Sequence, residues 1–71
     1  MSAWPSVKAK KLNAALLRIG WRLKRSSGGS HRVLSRDGWP DVVFAFHDRS
    51  TVPPEVVARI ARVTGLRPED L

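Results

Sequence analysis

His31 and His47 are the only side chains of this sequence that ordinarily titrate near neutrality, so any proton transfer at that pH begins with one of them. His31 has the better surroundings. It directly follows Gly28, Gly29 and Ser30 and sits among Lys24, Arg25 and Arg32, so a phosphate held by those cations lies beside an imidazole. Glycines let backbone amides approach and wrap an anion. A neutral imidazole in that position can accept a proton as a general base. RNA brings its own nucleophile, the ribose 2′-hydroxyl. A minimal protein then needs only to orient the strand, remove that proton and offset the phosphorane charge with cations. DNA has no such group. A plainer reading of the same residues makes Gly28 and Gly29 hairpin punctuation and His31 a strand-end residue.

The other candidates are weaker. His47 precedes Asp48 and Arg49 and suits a hydrogen-bonded structural pair at a loop entrance. His31, His47, Asp41 and Asp48 have neither zinc-type nor helix-borne pair spacing, so no metal and no cofactor is expected. Any of Trp4, Trp21 and Trp39 can stack a base; Trp21 follows the apolar alternation and belongs in the core, while Trp39, beside a turn, is expected to be exposed.

Charge points to a polyanionic partner. The net charge is +7, with nine cations and no acid in residues 1 to 36, against four cations and six acids in the rest. A solubilising surface usually mixes both signs, whereas this separation makes one face or edge a cationic field that attracts nucleic acid. The phosphate contacts expected are Arg22, Lys24, Arg25 and Arg32 around the histidine. Lys10 and Lys11 on the first helix are placed to reach across grooves of a double-stranded RNA.

Seventy-one residues give one domain, 1–71, in which 1–5 is an N-terminal extension. At this size folding hides only roughly 60% of the surface the unfolded chain exposes, so a deep substrate cavity is excluded. No cysteine is present, which rules out disulfides and thiolate metal sites and fits a reducing cytoplasm. The longest apolar runs fall far short of the ~20 residues that cross a bilayer, and the N-terminus lacks a signal-peptide core.

Helical spacing of Leu12, Ala15, Leu16 and Ile19, with Ser6 as cap and Gly20 as stop, predicts a first helix from about Val7 to Ile19. Trp21 and Leu23 then alternate with Arg22 and Lys24, the period of a half-buried strand. Ser26 to Ser30 form a polar connection, and a second alternating run extends from His31 to Arg36. Asp37-Gly38 marks a tight hairpin. Pro40 belongs at a strand start or edge, so the third strand is set from Asp41 to Phe46, and its continuous apolar run suggests the best-buried one. Pro53 and Pro54 open a second helix with an apolar stripe of Val56, Val57, Ile60 and Ala61, closed by Gly65 with Leu66 packed back across it. Pro68 to Leu71 add a terminal turn. The class is α+β, of order αβββα, with a three-stranded antiparallel sheet and two helices on one face.

Gly20-Trp21, Lys24-Arg25 and Gly29-Ser30-His31-Arg32 resemble the signature of the HicA (YcfA-like) toxins of bacterial toxin–antitoxin pairs. Asp37-Gly38-Trp39-Pro40-Asp41, Phe44-Ala45-Phe46-His47-Asp48, Ala58-Arg59-Ile60-Ala61, Thr64-Gly65-Leu66 and Pro68-Glu69-Asp70-Leu71 extend the likeness over about residues 8 to 71. The resemblance implies a fold like the double-stranded-RNA-binding domain, metal-independent cleavage of mRNA, and neutralisation by a HicB antitoxin. It assigns catalysis to His31, with Gly29 and Ser30 shaping the approach. Two readings from other classes fit the same charge: an RNA-binding module without catalysis, and a basic surface that docks an acidic protein. An antitoxin over the cationic strand face would compete with RNA directly.

Overall fold

The computed structural model describes residues 4–27 and 31–71. Its elements are β1 (Val7–Lys8), α1 (Ala9–Arg18), β2 (Arg22–Ser27), β3 (His31–Arg36), β4 (Trp39–Ala45), β5 (Thr51–Val52), α2 (Pro54–Thr64) and a 3₁₀ turn at Pro68–Asp70. Strands β2, β3 and β4 form an antiparallel sheet in that order, and β1 pairs with β5 in a separate two-stranded ribbon. Apart from the ribbon, this is the αβββα order expected of the sequence.

Both helices cover one face of the sheet. Ala9, Leu12, Ala15 and Leu16 of α1 and Val57, Ile60 and Ala61 of α2 join Trp21, Leu34, Val42 and Phe44 in one buried cluster. The opposite face is open. Among the described residues no helix is long and apolar enough to cross a membrane.

The start of α1 differs from expectation. Val7 and Lys8 are taken up by pairing with Val52 and Thr51, so the helix begins at Ala9, and Ser6 is not its cap. Lys8 stands at the cap position with no side-chain bond. The free first-turn amides find backbone partners instead: Ala9 N–H donates to the Ser50 carbonyl (2.8 Å) and Lys10 N–H to that of Asp48 (3.1 Å). The exit is as the sequence implies. Gly20 takes a positive φ of 108° and donates to Leu17, while Trp21 N–H donates to Leu16, the paired bonds of a Schellman end.

Two strands are less buried than the sequence suggests. In β2 the step from Leu23 to Arg25 faces a single step from Leu34 to Val33, so Lys24 is bulged, and Leu23 is 54% exposed because it lies on an edge strand. Strand β4 begins at Trp39, not Asp41, and is also an edge. Its apolar run therefore alternates: Val42 and Phe44 face the helices while Val43 is 65% exposed.

A tryptophan pair ties the hairpin end of the sheet to the end of α2. Trp21 is buried and its indole Nε1–H donates to the Thr64 carbonyl at 3.0 Å. Trp39 stands edge-on to it, with centroids 5.9 Å apart, and the Arg36 guanidinium lies 5.4 Å from the Trp39 ring centre. Trp39 is exposed, as the sequence suggests, while its ring rests against Arg36, Trp21 and the end of α2. Gly65, left-handed at φ 76°, caps α2, and a β-carbon there would come within 3.0 Å of the Trp39 ring.

Candidate functional site

Directly opposed residues of neighbouring strands share a face, so the register sorts the candidate side chains. Leu34 is buried under the helices, opposite Val42 and Leu23. Counting along β3 from Leu34 sends Arg32 to the covered face, opposite Phe44 and Ser26, and His31 and Val33 to the open face. His31 is exposed.

The imidazole is central on that face. Its strand is the middle one, and its direct neighbours are Ser27 on β2 and Ala45 on β4. Both are small, so among the described residues neither flanking strand covers the ring. Arg25, opposite Val33, is the diagonal neighbour of His31 at a typical separation of roughly 7–8 Å, within reach of a long side chain. Arg25 has no ion-pair partner among the described residues.

The other expected phosphate contacts separate into groups. Arg22 pairs with Asp37 (3.2 Å) and Lys24 with Asp41 (2.7 Å), both exposed at the sheet surface. Pairs of this kind contribute at most about 1 kcal/mol, so a phosphate displaces their carboxylates at small cost. Lys10 and Lys11 are exposed on α1, which packs on the covered face, so they do not share a face with His31. Gly29 and Ser30 lie outside the described residues.

Arg32 is a different case. Its side chain is only 19% exposed, Nη2 donates to Asp48 Oδ1 at 2.9 Å, and Nη1 is buried with no hydrogen-bond partner among the described residues. Asp48 belongs to the turn closed by the Ser50 N–H to His47 carbonyl bond (2.9 Å), and this same turn caps α1. Asp48 therefore pairs with Arg32, not with His47 as the local order suggests, and the His47 side chain is exposed.

Sequence reasoning overlooked Ser27, assigning it to a polar connection when it pairs with His31 at the end of β2. The inward direction of Arg32 was legible, because it alternates in step with buried Leu34.

The arrangement places an exposed imidazole, a group able to carry a proton, on an open, cation-edged sheet face. Such a surface accepts an extended polyanion in preference to a small enclosed substrate. Neither the curated proteins nor the solved structures compared with the chain gave a match. A family profile described as the HicA toxin of bacterial toxin–antitoxin does match, over residues 9–66. That span runs from the first residue of α1 to the residue after the α2 cap and takes in the whole open face, so the chain belongs to the HicA family of bacterial toxins.

Proposed function

We propose that this toxin is a metal-independent endoribonuclease that cleaves mRNA in the cytoplasm, with His31 as its catalytic base. The observation that carries the reading is the exposed imidazole on the open sheet face, between small Ser27 and Ala45 and diagonal to Arg25, which has no ion-pair partner among the described residues. An RNA strand lying over β3 brings a ribose to His31, which removes the 2′-hydroxyl proton. The 2′-oxygen attacks the adjacent phosphorus and the 5′-oxygen leaves, taking a proton from water. The products are a 2′,3′-cyclic phosphate and a free 5′-hydroxyl. Arg25 offsets charge on the non-bridging oxygens, and Arg22 and Lys24 exchange their carboxylates for flanking phosphates. Gly29 and Ser30 shape the approach, while Lys10 and Lys11 hold a more distant stretch of backbone. Arg32 contributes from the covered face by holding β3. The antitoxin, a HicB-like protein, neutralises the toxin by covering the basic strand face.

Replacement of His31 with alanine tests this. The His31→Ala protein is expected to melt with the wild type, because the side chain is exposed, and to lose at least roughly a hundredfold in cleavage of purified RNA with chelator present. Cleavage at the wild-type rate by His31→Ala would refute the assignment. Wild-type protein that binds RNA and never cuts it would leave a non-catalytic RNA-binding module.

A further inference from the structure

A groove of about 550 Å³ runs between β4 and α2, on the side of the molecule away from β2. Its floor is apolar, built from Val42, Val43, Ile60 and Val63, and Trp39 closes one end. Val43 and Val63 remain 65% and 48% exposed, so the floor is not sealed by the chain's own packing. Arg59 and Arg62 stand on the rim, one helical turn apart, and neither has an ion-pair partner among the described residues. The one carboxylate in the lining, Asp41, is already held by Lys24. An apolar trough with unneutralised cations along its lip is complementary to apolar side chains flanked by acids.

The groove is continuous with the open face. Val43 lines it, and Val43 also faces outward opposite Val33, two residues along from His31 and Ala45. A protein lying over His31 therefore reaches the groove by passing around the β4 edge. A second copy of this chain is a poor occupant, since each carries a net charge of +7. RNA is also poorly matched, because phosphates gain nothing from four aliphatic side chains and lose hydration against them.

We propose that this groove docks an acidic segment of the antitoxin, which inserts apolar side chains between Val43 and Val63 and pairs its carboxylates with Arg59 and Arg62. The inference rests on the antitoxin covering the strand face and adds a second anchoring point, away from the imidazole. A toxin gripped there is held while the competition with RNA is decided on the open face.

The test titrates the protein encoded beside the toxin gene into wild type, Arg59→Glu/Arg62→Glu and Arg59→Gln/Arg62→Gln, with RNA cleavage measured separately without it. Arg62 lies in the last turn of α2, where a negative charge is unfavourable, so the glutamine pair is the variant that leaves the helix least disturbed. The expected result is affinity roughly a hundredfold lower for the glutamate pair and roughly tenfold lower for the glutamine pair, with RNA cleavage unchanged in both. Unchanged affinity, or a neighbouring protein that does not bind the wild type, overturns the proposal. Lost RNA cleavage with antitoxin affinity intact assigns the groove to RNA and also overturns it. So does a wild-type dimer that Val63→Glu dissociates. If the wild type cuts no RNA but affinity falls as expected, the nuclease reading fails and the docking site stands.

Discussion

Neighbouring residues on β3 have opposite tasks. His31 faces outward between two small side chains, and Arg32 faces the helices and reaches Asp48. Two of the arginines expected to hold phosphate, Arg25 and Arg32, therefore separate on mutation. Arg32→Ala strips a partner from Asp48 and empties a mostly buried site, at a cost of about 1–2 kcal/mol, less than for a fully buried pair because Asp48 is half exposed. Arg25→Ala removes an exposed, unpaired side chain and changes stability by less than about 0.5 kcal/mol. Denaturant melts of both, beside RNA-binding titrations, check the assignment: Arg25→Ala should bind RNA more weakly with an unchanged melt. An Arg32→Ala protein as stable as the wild type would show that the Asp48 bond does not hold the strand.

At the scale of the elements, the junction of α2 with the sheet concentrates constraint at one residue. Gly65 adopts a conformation that costs an L-residue about 1–2 kcal/mol, and its α-carbon backs onto the Trp39 ring. Gly65→Ala is expected to lose at least that much, and Trp39→Ala in the same chain should return part of the loss by opening space for the new methyl group, a non-additivity that paired thermal melts resolve. Additive losses would mean that the ring and the cap do not interact. The glycine was legible in the sequence as a helix stop, as were both helices and the strand order, because glycine and proline punctuate short periodic runs. The Trp39 contact was not, since nothing local joins a hairpin residue to the end of a later helix. For the same reason the sequence misplaces the α1 start, where the caps are carbonyls of Asp48 and Ser50 far along the chain. The open-face position of His31 was within reach of its alternation with Leu34, but Ser27 beside it was hidden in a serine-glycine stretch. The long apolar run of β4 misled because periodicity reports burial without saying which strand is an edge.

For the whole molecule, the asymmetry of charge bears on the proposed grip on RNA. If the open face holds RNA as proposed, its exposed cations would make binding chiefly a matter of counterion release. The log of the association constant for single-stranded RNA should fall against log salt with a slope of about −3, if roughly four or five phosphates are neutralised. Titrations across a salt series read this directly, and a slope near zero would remove the cationic face from the binding account. The double clasp on the middle strand has another implication. His31 is fixed in register by Ala45 as well as by Ser27. Residues gained or lost ahead of the histidine therefore need not turn it toward the core. A slip of one place between β3 and β4 would instead bury the imidazole and turn the guanidinium of Arg32 outward, so indels are tolerable on one side of this strand and ruinous on the other.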